Sequence, residues 1–76
     1  MNSQRLILVT GASGYVGGRL VRDLVEDKCA VRVLVRDAQK VKDQPWAKDV
    51  EIVEGNANNP DDLRRALRGV HTAFYL

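Results

Sequence analysis

The sequence has 76 residues and a mass of 8.5 kDa, and its 45% hydrophobic and 29% charged content is that of one small folded domain rather than a disordered tail. Twelve basic against ten acidic side chains leave +2, which argues against nucleic acid or a membrane surface as the partner. A lone cysteine, Cys29, excludes a disulfide scaffold and a cysteine-rich zinc module, and no apolar run approaches the ~18 residues of a membrane span.

Gln4 and Arg5 lead straight into Leu6-Ile7-Leu8-Val9, a short apolar run that predicts the first strand. Thr10-Gly11-Ala12-Ser13-Gly14-Tyr15-Val16-Gly17 follows, a turn with glycine at every third position. From Val16 to Asp27 the apolar residues Val16, Leu20, Val21, Leu24 and Val25 fall on one helical stripe, with Arg19, Arg22, Asp23 and Glu26 opposite. Cys29 begins the second strand, whose apolar run is Val31 to Val35, and is expected to be structural. Asp37 to Lys42 predicts a shorter helix closed before Pro45, with Trp46 as a hydrophobic lid on it.

The third strand, Val50 to Val53, stops at Gly55. Asn59 suits an N-cap and Pro60 the first helical position, while Asp61 and Asp62 complement the positive end of the helix. That helix carries Leu63, Ala66 and Leu67 inward and ends at Gly69. His71 then enters a fourth strand, Thr72 to Leu76.

The order β-α-β-α-β-α-β with short links implies right-handed crossovers and a parallel α/β sheet. In its dinucleotide-binding version the strands lie 3-2-1-4, with a switch point between the first and fourth strands where ligands bind. The glycine turn sits at that place. Gly11 permits the sharp turn off the strand, Gly14 lets a phosphate approach the backbone, and Gly17 lets the helix pack close. The amides of the first helical turn would point at the anion, and Ser13 adds a hydroxyl. Gly18 is followed by Arg19 and Leu20 rather than lysine and a hydroxyl residue, which excludes a triphosphatase loop.

The end of the second strand bears on which dinucleotide. A free ribose 2′-hydroxyl calls for an acidic residue there and a 2′-phosphate for arginine, and the sequence offers Arg36 and then Asp37. Lys40 can join Arg36, and residues 28–48 hold six basic and two acidic side chains, whereas residues 49–62 hold five acidic and none basic. Arginine at this position favours NADP, with NAD the alternative through Asp37. Arg36 and Lys40 as a plain solvated face, with Asp37 as an N-cap, is the other way to read them. Asn56 and Ala57 follow the third strand, where an adenine edge would lie, although Asn56 equally suits a turn.

With T-G-A-S-G-Y-V-G, the V-R-V-L-V-R-D strand end and G-V-H-T-A-F-Y-L in view, the chain resembles the extended and atypical branch of the short-chain dehydrogenase/reductase superfamily, NmrA-like proteins in particular. The resemblance covers residues 1–76 as the N-terminal part of a dinucleotide-binding Rossmann domain, truncated, with the catalytic and substrate part absent. It implies pyrophosphate and ribose contacts from Gly11, Ser13, Gly14, Tyr15 and Val16, and a 2′-phosphate held by Arg36 with Lys40. Asn56 and Ala57 would border adenine; the family usually has aspartate at position 56, and an amide can meet the adenine amino group through its carbonyl. Catalytic members carry a tyrosine and a lysine four residues apart. Neither Tyr15 nor Tyr75 has that lysine, so no catalytic residue and no metal ligand is assigned.

Two functions follow from the resemblance. One is the NAD(P)-binding part of a cytoplasmic reductase, dehydrogenase or epimerase; the other is a non-catalytic sensor of the NADP/NADPH state, like NmrA-type regulators. The fourth strand leaves an edge carrying Phe74, Tyr75 and Leu76, which predicts weak stability, self-association and poor cofactor binding for the isolated chain.

Overall fold

The computed structural model describes residues 5–76, so the role expected of Gln4 lies outside the described residues. Strands β1 (Leu6–Thr10), β2 (Ala30–Val35), β3 (Glu51–Glu54) and β4 (Val70–Tyr75) form one parallel sheet in the order β3-β2-β1-β4. Two helices, α1 (Tyr15–Glu26) and α2 (Pro60–Leu67), make the first and third crossovers. The Rossmann-type order read from the sequence is the one the chain adopts.

Side chains of a strand alternate between faces, and here each face has its own core. Ile7 and Val9 of β1 and Val31, Val33 and Val35 of β2 pack under α1 against Val21, Leu20 and Leu24. Leu8 and Leu34 point the other way, onto Ala66 and Leu63 of α2. Both faces of the two central strands are thus covered, which is why β1 reads as an unbroken hydrophobic run and β2 as one interrupted only by Arg32. Cys29 packs at the margin of the first core.

Helix α2 is specified locally. The Asn59 side chain accepts from the amides of Asp61 and Asp62 at 2.9 and 3.2 Å, and Pro60 opens the helix. Arg64 and Arg65 pair back one turn with Asp61 and Asp62 at 2.9 and 2.6 Å. At the other end Arg32 of β2, nearly covered, donates to the carbonyls of Ala66 and Arg68 at 2.6 and 2.8 Å and to Glu51 at 2.9 Å. A guanidinium on the negative end of a helix is a charge-assisted cap, so α2 is held at both termini.

The second crossover differs from the helix predicted over Asp37 to Lys42. It has only two short 3-10 turns, Ala38–Lys40 and Ala47–Asp49. The reason is burial: between Arg36 and Pro45 only Val41 offers a side chain to the core, too little to offset the cost of nucleating a helix. Val41 and Trp46 are almost fully buried and close the α1-side core, so Trp46 covers that core and not a helix. At β4 the register against β1 shifts between Leu6 and Ile7, leaving His71 as the extra residue of a bulge, exposed and hydrogen-bonded to Thr72 at 2.8 Å. No helix among the described residues is long and apolar enough to cross a membrane.

Candidate functional site

The connections leaving β1, β2 and β3 and the end of β4 enclose a cavity of about 330 Å³. Gly11 and Ser13 line it from the glycine turn, Arg36 and Lys40 from beyond β2, and Asn56 and Ala57 from beyond β3. Because β1 has β2 on one side and β4 on the other, this is the switch point of the sheet.

The turn itself is built by close backbone approach. Gly11 has φ +77°, a left-handed conformation costly for other residues, and its carbonyl accepts the Gly14 amide at 3.0 Å. Gly17 is buried beneath it. A β-carbon at position 17 would overlap the Gly11 carbonyl oxygen and stand 2.7 Å from the carbonyl carbon, so α1 seats on the turn only through glycine. At Gly14 a β-carbon would meet only the Gly11 oxygen, at 3.5 Å, an ordinary contact with open space beyond.

Helix α1 lacks what α2 has. Gly14 at its N-cap offers no side chain, and its first turn holds no acidic residue. The first amides of a helix have no acceptor within the helix, and at the start of α1 no side chain caps them. Ser13, exposed between them, also borders a second cavity of about 320 Å³ with Gly14, Tyr15, Arg19, Arg22 and Trp46. Val16 is exposed on the first turn of α1 and lines neither cavity.

Arg36 and Lys40 are exposed and form no ion pair among the described residues. The nearby carboxylates serve the backbone instead. Asp37 accepts from the Gln39 amide and Glu54 from the Ala38 amide, each at 3.0 Å, fixing the turn after Arg36. Asp37 is therefore the N-cap of that turn.

Asn56 does the work of a turn as well. Its side-chain carbonyl accepts the Asn58 amide at 2.8 Å, and its own amide donates to Asp62 at 2.9 Å. That carbonyl has two lone pairs, and the bond from the Asn58 amide uses one of them. The Asp62 carboxyl is held below the usual carboxylate range, first by the Asn56 amide it accepts and then by the Arg65 guanidinium. The stability this contributes is present above the ordinary carboxylate pKa and is lost as pH falls through the depressed one.

Some contributors carry no sequence motif. Thr10, buried at the end of β1, donates its hydroxyl to the Phe74 carbonyl at 3.4 Å and accepts the Leu76 amide at 3.2 Å. That tie brings Tyr75 and Leu76 to the cavity wall, where the Tyr75 hydroxyl reaches the Asn58 side chain at 3.3 Å. Asp62 is the other. Its only signal was an acidic residue in the first turn of a helix, which says nothing of a partner six residues back.

Known proteins share this fold. The sequence pattern of the NmrA-like family matches residues 3–76. An NAD(P)H azoreductase from Xenophilus azovorans is 39% identical over 69 residues, covering 91% of this chain and 24% of that protein. The structure of a Rossmann-fold NAD(P)-binding family protein from Shigella flexneri superposes with a TM-score of 0.86 at 19% identity, over 97% of this chain and 38% of that one. A short-chain dehydrogenase/reductase superfamily protein from Agrobacterium tumefaciens, solved with bound NAD, superposes at 0.75 with 29% identity, over 95% and 20%. The chain spans about a quarter of the length of the curated relatives it matches. With its 3-2-1-4 sheet and glycine turn, the chain belongs to the NmrA-like family and has that family's dinucleotide-binding Rossmann fold.

Proposed function

We propose that the chain is the N-terminal, cofactor-holding part of a reductase- or epimerase-type protein, and that its dinucleotide is NADP. The observation that carries the cofactor choice is the state of the charges after β2: Arg36 and Lys40 face the cavity without a carboxylate partner among the described residues, while Asp37 is engaged as a cap. Glycine at position 14 and the uncapped start of α1 suit the pyrophosphate, Arg36 and Lys40 the 2′-phosphate, and the loop at Asn56 and Ala57 the adenine. Bound there, the cofactor supplies hydride chemistry; this chain's residues bind and orient it. Reductase activity in the azoreductase relative supports the enzyme reading over a sensor. The single half-buried thiol, Cys29, suits a reducing, cytoplasmic compartment.

Titration of the chain with both cofactors tests the choice, with the ratio of affinities as the readout. A charge-assisted arginine–phosphate contact contributes about 1.5–3 kcal/mol, so NADP should bind about tenfold or more tighter than NAD. Arg36→Ala should close most of that gap. Equal wild-type affinities would remove the 2′-phosphate reading, and tighter NAD binding would transfer the role to Asp37.

The outer edge of β4 carries a second proposal. Phe74, Tyr75 and Leu76, in and just after β4, are 37, 64 and 56% exposed, and among the described residues β4 has only β1 as neighbour. Such an edge pairs with another strand, and in the isolated chain the available one belongs to a second copy. Sedimentation should show concentration-dependent dimers that Tyr75→Lys abolishes. A wild-type monomer at high concentration would refute edge pairing.

A further inference from the structure

The loop from Gly55 to Asn58 forms one wall of the cavity, yet its conformation is governed by a residue that does not line it. Asp62, on the first turn of α2, accepts the Asn56 amide through Oδ2 at 2.9 Å and the Arg65 guanidinium through Oδ1 at 2.6 Å. The Asn59 side chain accepts the Asp62 amide at 3.2 Å, fixing the backbone from which this carboxylate projects. Room for it exists because position 55 is glycine: a β-carbon there would stand 3.1 Å from Cβ, Cγ and Oδ2 of Asp62. Asn56, so anchored, turns its side chain onto the Asn58 amide at 2.8 Å. The Gly55 amide is meanwhile tied to the Val35 carbonyl at 2.8 Å, beside Arg36. The opposite tether of the loop, from Tyr75 to Asn58, is a longer contact of 3.3 Å between exposed groups. Of the two, the carboxylate is the stronger, since hydrogen bonds to an ionised acceptor are about twice as strong as neutral ones.

Resting on the dinucleotide reading above, we propose that Asp62 is a positioning residue for the nucleotide base: from outside the cavity, its carboxylate sets the loop against which the base lies. It touches no ligand. It holds Asn56 so that the remaining lone pair and the amide protons of that side chain face the cavity in one arrangement, which lowers the ordering cost at binding.

The test uses adenosine 2′,5′-bisphosphate, the adenosine half of NADP, as the probe. Asp62→Ala should weaken its binding about tenfold, the effect of losing one hydrogen bond to a charged group. It should also speed amide exchange at Asn56. Asp62→Asn keeps an acceptor and should restore binding to within about threefold of wild type. Arg65→Ala removes the ion pair but spares the loop bond, and should leave affinity unchanged. Gly55→Ala retains Asp62 but displaces its carboxylate, so it should weaken binding in the same direction even where Asp62→Ala folds poorly. Unchanged affinity in both Asp62→Ala and Gly55→Ala would overturn the role of Asp62 while leaving the dinucleotide reading intact. A loss in Arg65→Ala equal to that in Asp62→Ala would assign the effect to the ion pair and overturn it too. Failure of the folded wild-type chain to bind the probe at any accessible concentration, where even the weak binding expected of the isolated chain registers, would remove the dinucleotide reading, and this proposal with it.

Discussion

Gly17→Ala is expected to lower the melting temperature of the chain by about 15 °C. The sign is unusual, because alanine in place of glycine inside a helix ordinarily stabilises by ~1 kcal/mol. Here the added β-carbon would overlap the Gly11 carbonyl oxygen and press on its carbonyl carbon and on the Ala12 α-carbon, all backbone atoms. No side-chain rotation relieves that contact, so α1 must lift from the end of β1, breaking the packing of Val21 on Val9 and Val33. Overpacking of this kind costs about 3 kcal/mol, and at this chain length each kcal/mol moves the midpoint by about 4–8 °C. Gly18→Ala is the matched control: its nearest neighbour would be the Ala12 oxygen at 3.3 Å, and the melting temperature should move by only ~3 °C. Thermal melts followed by circular dichroism decide it. A Gly17→Ala midpoint equal to wild type would mean that α1 does not rest on the turn as described.

Gly14→Val is expected to do the reverse, leaving the fold and abolishing NADP binding. Gly14 has φ −84° and ψ 170°, extended backbone that valine adopts readily, and the β-carbon meets nothing closer than 3.5 Å. The cost in stability is that of a poorer N-cap, about 1 kcal/mol. The branched side chain then occupies the space over the first amides of α1, where the pyrophosphate is proposed to lie. Two lost hydrogen bonds to a charged group, at about 1.5–3 kcal/mol each, correspond to a hundredfold or greater loss of affinity. Calorimetric titration alongside a far-ultraviolet spectrum separates the two effects. Wild-type affinity in a folded Gly14→Val chain would exclude the turn as the phosphate site. Two glycines three residues apart are thus in opposite settings: Gly17 is needed for packing, whereas Gly14 faces open space, where the phosphate is proposed to approach.

The sheet was readable from sequence because its signals are local. Leu6 to Val9 is an unbroken apolar run, and Val31 to Val35 is broken only by Arg32, since both faces of β1 and β2 are covered; Asn59-Pro60 marks the start of α2 wherever the rest of the chain goes. The strand order followed from the handedness of crossovers and from the glycine turn at a strand-to-helix junction. The segment from Asp37 to Lys42 misled because its composition suits a helix while its burial does not: one core residue, Val41, cannot hold a helix onto a sheet.

What the sequence determined by itself is therefore the order of elements, the two-faced core and the position of the glycine turn, because each rests on residues close together in the chain. Only the tertiary structure decided what the charged and polar groups do. It tied Asp37 to a cap, gave Arg36 no ion pair among the described residues, set Arg32 on the carbonyl end of α2, and joined Thr10 to β4. It also set Asp62 against Asn56. The physical reason is range: hydrophobic periodicity is printed along one element, whereas a hydrogen bond depends on where a second element brings its partner, and distance along the chain does not record that.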